Sequence, residues 1–406
     1  MIIVIIYLLW RSHMKSTVIK RLYSTTLITA FLSGSHIALG VPFAAHAEQA
    51  SADKAALSEV KQTDAAPSTV NQAKQAEAAA FTRNQTEQAK AAALTLAQAE
   101  DIALNNSIDL AMLRLDADST YYKTRQTLQE KGAIKSGSIK TLDQAKKKYE
   151  EMAKARKDLV HSQAAMKAQE NTLRLQVQKA YLDALFGKAQ LDLQKKSIKR
   201  QFWSSAPSEE TQKNIENLET NHKQALAKLN ELLNENPSKE WKLEAADDLT
   251  NDKLPVLEEI QKAAYEKRPD IVKAIAEKTF AQEKIDYLKD YSALSTYLGK
   301  MARNDGKKAE LLLQRAKAKA DQEIAESYKK AVAARQAMEE SAESRKSAEK
   351  RYRAVLSNYH NGKAALSELA QQESELLELE TRHVESIYQY NTAVATLKHS
   401  IGYSSY

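Results

Sequence analysis

The stretch Tyr359-His360-Asn361-Gly362-Lys363-Ala364-Ala365-Leu366 decides the fold, because it separates two long apolar seams. On both sides of it, apolar residues recur at alternating spacings of four and three, which is the periodicity of packed helices. Glycine readily adopts the left-handed backbone conformation that ends a helix. The sequence therefore predicts an antiparallel helical hairpin that turns at Asn361-Gly362.

The two seams are long. The seam before the turn contains Ile324, Tyr328, Ala331, Met338, Ala342, Tyr352, Leu356 and Tyr359. The seam after the turn contains Leu366, Ala370, Leu377, Val384, Ile387, Val394 and Ile401, with Glu373, Glu380, Asn391 and Lys398 interspersed. A second apolar stripe lies beside the latter seam, so each helix is expected to have more than one neighbour. The helix before the turn is predicted from about residue 310 to Tyr359, a length of about 75 Å at 1.5 Å per residue.

The composition agrees with long helices. The 406 residues include only nine Gly and six Pro, which is few for a β-sandwich or a doubly wound α/β fold. Four of the six prolines cluster at 207–269, so long proline-free tracts lie on both sides of a proline-containing central segment. The chain has no cysteine, which excludes a disulfide framework, a thiolate metal site and a cysteine nucleophile. We therefore expect an all-α fold, with a first turn near residues 202–207 and Ser208 as the cap of the next helix.

The N-terminus has the pattern of a secretory signal. Residues 1–47 contain four basic residues and no acid, an apolar stretch, and the small-x-small ending Ala45-His46-Ala47. The alternative is a membrane anchor, but the polar residues within the stretch disfavour a span. We interpret 1–47 as a signal peptide, with Met14 as the true start of translation, and the Ala/Gln-rich segment 48–93 as a linker. Without the signal, the chain has 56 basic and 53 acidic residues, so its net charge falls from +7 to +3. This lower charge weakens the case for a nucleic-acid-binding role.

A weak internal repeat divides the rest of the chain. The segment 103–110 matches 264–271, and 177–182 matches 324–329. Because order and spacing recur, we predict a duplicated unit rather than chance similarity between Ala/Lys/Glu-rich helices. The predicted organisation is a first helical repeat at 94–237, a connector at 238–253, a second helical repeat at 254–402 and a tail at 403–406.

Taken together, these motifs resemble the TolC family of outer-membrane efflux proteins. Leu94-Thr95-Leu96-Ala97-Gln98-Ala99 looks like the opening helix of that family, and Arg268-Pro269-Asp270-Ile271 looks like the opening of its second repeat. The Asn361-Gly362 turn with its following Ser367-Glu368-Leu369 and the ending at 397–402 also resemble the family. It implies a trimer whose helical hairpins form a tunnel and whose hairpin tips dock a periplasmic adaptor of an inner-membrane pump. It also implies two strand pairs in each protomer, at the positions of residues 121–149 and 285–314.

This chain departs from that pattern at both positions. The two segments lack alternating apolar strands of about ten residues, and glycines and charged residues punctuate them instead. We therefore predict a divergent member without barrel strands. Its body would be duplicated, coiled-coil-like antiparallel hairpins, with short connectors in place of the strands.

The sequence contains no catalytic or metal-binding constellation. It has no Gly-rich phosphate loop and no Gly-x-Ser-x-Gly elbow, and its eight histidines are scattered. We therefore predict a protein that is not an enzyme, with no catalytic residue, cofactor or metal. The candidate docking residues lie at the two hairpin tips: Tyr359, Asn361, Gly362, Ala365, Leu366, Leu369, Phe202 and Trp203. An exposed Trp203 would favour a partner surface, whereas a buried one would fasten the hairpin.

The sequence thus predicts an exported component of the cell envelope, in the periplasm or outer membrane if the host has one and otherwise extracellular or in the cell wall. Its function would be that of a helical conduit or docking scaffold in an export or efflux assembly. Its expected partners are two further copies in a homotrimer, a periplasmic adaptor and an inner-membrane pump, with no nucleic acid and no direct membrane insertion. The alternative is a non-transporting coiled-coil spacer of the envelope, and trimer formation would separate the two.

Overall fold

The computed structural model describes residues 92–201, 203, 207–245 and 254–402. The predicted signal, most of the predicted linker and the C-terminal tail lie outside these residues.

Nine α-helices and two short strands make up the described chain. The first half contains β1 (Ala92–Leu94), α1 (Leu96–Asn106), α2 (Ile108–Gly132), α3 (Leu142–Ala145), α4 (Glu151–Arg200) and α5 (Glu209–Leu233). The second half contains β2 (Trp241–Leu243), α6 (Leu257–Lys267), α7 (Pro269–Tyr291), α8 (Tyr297–His360) and α9 (Leu366–Ile401). A 3₁₀ turn at Ser136–Ser138 precedes α3, and a π-helical turn at Lys146–Glu150 joins α3 to α4. The prediction of an all-α body of long antiparallel hairpins is confirmed.

The two predicted turns lie where the sequence places them. Helix α8 has 64 residues and begins earlier than predicted, at Tyr297, so it spans about 96 Å at 1.5 Å per residue. Gly362 has φ +69°, the predicted left-handed conformation. At the other turn, Ser208 is the N-cap of α5, and its side chain accepts a hydrogen bond of 3.2 Å from the backbone N–H of Thr211.

The internal repeat corresponds to repeated backbone geometry. Ser107 ends α1 and begins α2 with φ −71° and ψ 114°, and Arg268 does the same between α6 and α7 with φ −67° and ψ 125°. Their backbone N–H groups donate to the equivalent carbonyls of Ala103 and Ala264. Each closing helix ends on a left-handed residue, Asn234 after α5 and Gly402 after α9. The duplication predicted from sequence is therefore confirmed at the level of caps and junctions.

Two short strands depart from the otherwise confirmed all-α fold. Ala92 and Ala93, the last residues of the predicted linker, form β1 together with Leu94, and β1 runs parallel to β2 within the predicted connector. The opening helix consequently starts at Leu96 rather than Leu94, and Thr95 caps it in a reciprocal capping box with Gln98. Three-residue strands separated by about 150 residues leave no alternation for sequence reasoning to detect.

Tyr181 fastens these strands to the helical body. Its side chain is fully buried in the main apolar core, and its hydroxyl lies 2.7 Å from both the Leu94 and the Glu244 carbonyl oxygens. A single hydroxyl can donate to one of them at a time. Burial raises the pKa of Tyr181 to about 12, so this hydroxyl remains a donor at neutral pH. The ends of both short strands therefore meet on one side chain of α4.

The long helices form a single layer with two edges. In the half of the layer that ends in the connectors, α2 packs on α4, α4 on α7, and α7 on α8. In the half that ends in the hairpin turns, α5 packs on α4, α4 on α9, and α9 on α8. Within the described residues, α8 makes no extended contact with α2 or α5. The layer of long helices is consequently open, with α8 at one edge, and the short helix α6 also packs on α8.

The two segments where strands would lie in the resembled family are helical ends and turns. Helix α2 ends at Gly132 and α3 begins at Leu142, while α7 ends at Tyr291 and α8 begins at Tyr297. No strand occurs within 121–149 or 285–314, all of which the structure describes. The predicted short helix–helix connectors are confirmed.

Candidate docking interface

The second hairpin tip is a left-handed helix ending followed by a short loop. The N–H of Gly362 donates to the carbonyl of Tyr359, and the N–H of Lys363 donates to that of Asn358, at 3.0 and 2.8 Å. These two bonds define a Schellman motif, which satisfies carbonyls at the end of α8. Ala365 then starts α9 without a side-chain cap. The backbone of the tip is thus fixed by its own hydrogen bonds.

The candidate docking residues of this tip divide into an exposed and an inward-facing group. Asn361, Gly362, Ala365 and Leu366 are exposed, and Leu366 presents an apolar side chain that is 41% accessible. Leu369 is fully buried, and Tyr359 packs on the same core cluster. The exposed four can therefore meet a partner, whereas Leu369 holds the tip together.

The first hairpin turn lies against the second hairpin. Trp203 is half-buried and packs on the cluster formed by Ala348, Tyr352, Leu369 and Leu376. Of the two interpretations that the sequence left open for Trp203, this contact favours fastening. Phe202 lies outside the described residues.

The two tips do not reach the same level. Tyr181 and Tyr328 occupy equivalent positions in the repeats, and 19 residues separate Tyr181 from Arg200 while 32 separate Tyr328 from His360. The difference of 13 residues corresponds to about 20 Å of helix. The first hairpin therefore ends partway along the second hairpin, and the tip of the second hairpin projects beyond it.

A buried charge network, which sequence reasoning missed, fixes the first turn to α9. The Arg200 guanidinium donates to both oxygens of Glu380, at 3.0 and 2.7 Å, and through Nε to Glu373 at 3.0 Å. The side chains of Glu373 and Glu380 are 1% and 6% accessible. Lys196 also donates to Glu380, at 2.9 Å. The signal in the sequence was the pair of acids seven residues apart on an apolar seam, since buried carboxylates need a cation.

The pKa shifts follow from this arrangement. Burial raises the pKa of the Glu373 carboxyl, and the hydrogen bonds from Ser197 and Arg200 do not fully offset it. Burial acts in the same direction on Glu380, but the hydrogen bonds from Arg200 and Lys196 outweigh it and hold that pKa below its usual value. Burial also opposes the charge of Arg200, yet its hydrogen bonds to the two acids raise its pKa. Arg200 is therefore the charge on which the network depends.

A serine–histidine contact in the second hairpin is part of the packing between α8 and α9. Ser341 Oγ lies 3.0 Å from His383 Nδ1 and 2.6 Å from Ser386 Oγ, and both serines are buried. Burial and the nearby Arg345 lower the pKa of His383. The Ser341 hydroxyl is also within 2.8 Å of the Met338 carbonyl of its own helix. Its environment is that of a polar layer in a helix seam.

The open edges expose apolar side chains in the half of the layer that carries the connectors. On α2, Ile108, Met112, Leu115 and Tyr122 are between 53% and 70% accessible and follow a four-three spacing. On α8, Leu311 and Leu312 are 64% and 46% accessible. Contiguous exposed apolar surface commonly marks an interaction site. The two free edges thus carry surfaces suited to burial against another chain.

The described residues contain neither a candidate membrane-spanning helix nor a candidate metal site. None of their helices combines the length and apolar character needed to cross a membrane. No group of three or more His, Asp or Glu among them could hold a metal ion.

Comparison with known proteins reveals a clear likeness in structure. No protein-family model and no curated protein matches the chain. The MtrE outer-membrane channel of Neisseria gonorrhoeae in its open state superposes with a TM-score of 0.56 and 15% identity, over 76% of this chain and 88% of that one. The outer-membrane protein VceC of Vibrio cholerae gives 0.54 and 12%, over 76% and 96%. The CmeC outer-membrane channel of Campylobacter jejuni gives 0.53 and 13%, over 76% and 85%.

This likeness confirms the TolC-like fold that the sequence motifs indicated. The identities are 12–15%, so the chain is a strongly divergent example of that helical architecture. The superposed part covers three quarters of the chain, close to the extent of the residues that the structure describes.

Proposed function

We propose that this chain is an exported cell-envelope component of an export or efflux assembly, in which it acts as a helical conduit or docking scaffold without catalysis. The observation that carries the proposal is the open helix layer with apolar side chains on both free edges. One edge of such a layer can pack on the other edge of the next copy, and this head-to-tail contact closes a ring when the rotation per copy allows it. Three copies would form the homotrimer expected of a TolC-like body. The names of the superposed channels support the envelope setting.

A single charged substitution on the edge helix α2 tests whether the copies assemble through their edges. Leu115→Glu places an unpaired carboxylate on the exposed apolar stripe of α2, where edge-to-edge packing would bury it. We expect the trimer of the wild-type chain in light scattering to shift to monomer, with a dissociation constant raised about tenfold or more. Ile275→Glu is the matched control, because Ile275 is an exposed apolar residue of α7, which has helices on both sides. A wild-type monomer at all concentrations would contradict the proposal.

The docking role can be tested at the second tip. A photo-crosslinking amino acid at Asn361 should capture the adaptor of an inner-membrane pump in intact cells, whereas the same group at Lys350 on the exposed shaft of α8 should not. Leu366→Glu should abolish that capture and lower export of the pump's substrate, because the exposed leucine is the apolar contact of the tip. Equal capture at both positions would contradict docking at the tip.

The short connectors favour one alternative, a non-transporting coiled-coil spacer of the envelope. A spacer needs the helical body and its attachment points but no closed ring. Unchanged export in cells that lack the protein, together with a monomeric chain, would favour the spacer.

A further inference from the structure

The positive charge of this chain is concentrated at one end of the helix layer. We call residues 131–149 and 289–308, which contain the two connectors and the adjoining helix ends, the connector cap. The cap has eleven Lys and Arg residues and three acids, a net charge of +8. Outside the cap and the predicted signal, the chain has 45 basic and 50 acidic residues, which gives a net charge of −5. A nearly neutral chain thus carries a strong local positive field.

The two connectors form one structural unit. Ile139 and Ala145 of the first connector share a core cluster with Leu288 and Ala302 around the second. The rings of Tyr149 and Tyr291 lie 5.9 Å apart. The basic residues of both segments are therefore carried on one packed end of the layer.

Most of these basic residues are available to a partner. Lys131 pairs with Glu151, and Lys148 is buried and donates to Ile134 and Ser136. Within the part of the chain that the structure describes, the other nine have no ion pair, and eight of them are exposed: Lys135, Lys140, Lys147, Lys289, Lys300, Arg303, Lys307 and Lys308. These charges are therefore not neutralised by ion pairs among the described residues.

Exposed apolar side chains lie among these charges. Tyr297 is 87% accessible, Met301 is 62% accessible, and Ile134 is 36% accessible. The Lys300 ammonium lies 5.9 Å from the centre of the Tyr297 ring. Aromatic and apolar residues beside lysines are the combination that an anionic membrane surface binds, because the rings enter the headgroup region while the lysines meet its negative potential.

We propose that the connector cap docks on the surface of a membrane that contains anionic phospholipids. Ten of the eleven bases are lysines rather than arginines. Lysine acts as a point charge, whereas arginine is the more frequent choice for paired recognition of phosphates in nucleic acids. A diffuse lysine field with a protruding tyrosine therefore fits a layer of headgroups better than a polynucleotide. This inference rests on the charge and exposure of the cap and does not depend on ring formation.

Vesicle sedimentation of the purified exported chain tests the proposal. Vesicles with about 30% phosphatidylglycerol in phosphatidylcholine should bind the protein at least about tenfold more tightly than pure phosphatidylcholine vesicles. Raising the salt from about 0.1 M to about 1 M shortens the Debye length from about 10 Å to about 3 Å and should remove most of the binding. Tyr297→Ser should weaken binding to the anionic vesicles without changing the salt dependence.

Matched variants assign the binding to the cap. Lys135→Gln/Lys140→Gln/Lys147→Gln/Lys300→Gln should weaken binding to the anionic vesicles by about tenfold or more. Lys213→Gln/Lys329→Gln/Lys350→Gln/Lys363→Gln removes the same charge from exposed lysines outside the cap and should change it less than about twofold.

Equal losses in both variants, or equal binding to neutral vesicles, would overturn the proposal. Retention on a heparin column without binding to anionic vesicles would also overturn it, in favour of a polyanionic macromolecule. Circular dichroism of each variant verifies that the helices are intact.

Discussion

At the scale of single residues, the structure shows why acids lie on an apolar helix seam. Glu373 and Glu380 occupy positions at which α9 faces the end of α4, and Arg200 provides the charge that makes their burial tolerable. Burying a carboxylate without a cation costs several kcal/mol, so the three residues behave as one unit. Since Trp203 packs three residues beyond Arg200, the polar network and the apolar contact fasten the same turn.

Removal of the cation should make stability depend on pH. In the wild type the pKa of Glu380 is lowered, so its stabilising contribution is present above the pKa of the unfolded chain and is lost as the pH falls. The pKa of Glu373 is raised, so its ionisation removes stability as the pH rises above about 4.5. In Arg200→Gln both carboxylates lack their main partner, and both should bind protons more tightly in the folded state. We expect the free energy of unfolding to fall by about 3–5 kcal/mol at pH 7, with a smaller deficit near pH 4.5.

Urea denaturation at the two pH values measures this difference. Arg200→Leu/Glu373→Leu/Glu380→Leu is the control, because replacing all three charges together is often close to neutral. A deficit that is the same at both pH values would show that the network is not what stabilises the turn.

Gly362 offers a test of backbone conformation alone. A Cβ atom added there would meet no other atom within 4 Å, but the φ of +69° is unfavourable for a side chain. Gly362→Val should therefore cost about 1 kcal/mol or more, and Gly362→Asn should cost less because asparagine tolerates this region. Gly137→Val is the control, since Gly137 is equally open and has no positive φ. Equal costs at both positions, measured by thermal unfolding, would contradict a backbone origin.

At the scale of elements, the helices and their turns were predictable, because each signal is local. A Gly after a long seam, a Ser before an acidic helix start and a recurring apolar spacing describe nearby residues. The same reasoning missed what joins the elements. Nothing adjacent to Tyr181 or to Arg200 reveals that their partners lie 87 and 180 residues away. It also extended the opening helix across Leu94 and Thr95, because β1 depends on a strand from the far side of the first repeat.

Tyr181→Phe should loosen this junction. The variant keeps the buried ring but removes the hydroxyl that lies 2.7 Å from two carbonyls, that of Leu94 at the end of β1 and that of Glu244 just after β2. Because the Leu94 carbonyl keeps the N–H of Glu244 as a donor, the expected loss is that of one hydrogen bond, about 0.5–1.5 kcal/mol. Chemical denaturation should show that loss, and hydrogen exchange at Glu244 should accelerate, since its N–H donates to Leu94 across the strand pair.

Tyr328→Phe is the matched control for this change. Tyr328 occupies the equivalent position in the second repeat, and its hydroxyl makes no hydrogen bond to the described residues. Equal losses in the two variants would mean that the strand contacts of Tyr181 contribute nothing to stability.

At the scale of the whole molecule, the predicted signal separates the translated chain from the functional one. Removal of residues 1–47 deletes four basic residues and no acid, so the connector cap becomes the dominant positive feature of the exported protein. N-terminal sequencing of the protein secreted by its host should begin near Glu48. Recovery of an uncleaved N-terminus from the cytosol would contradict export.

The edges of the helix layer lead to the last prediction, which concerns closure. The Lys278–Glu310 ion pair places these residues of α7 and α8 at one level. Because α2 corresponds to α7 with an offset of 161 residues, Leu115 is equivalent to residue 276, and it lies level with residues 311–312 on the opposite edge. Both Leu115 and Leu311 are exposed, so a head-to-tail contact between copies would bring them together.

Disulfide trapping can read this contact directly, because the chain has no cysteine of its own. Leu115→Cys/Leu311→Cys should form intermolecular disulfides under mild oxidation, and the ladder on a denaturing gel should stop at three copies if the ring closes. Each single cysteine should form none, since a head-to-tail contact pairs different surfaces, whereas a two-fold dimer could crosslink one cysteine to itself. Leu115→Cys/Ile275→Cys is the control with a cysteine away from the edge. A ladder that continues beyond three would indicate an open filament, and its absence would leave the layer as the monomeric body that a spacer requires.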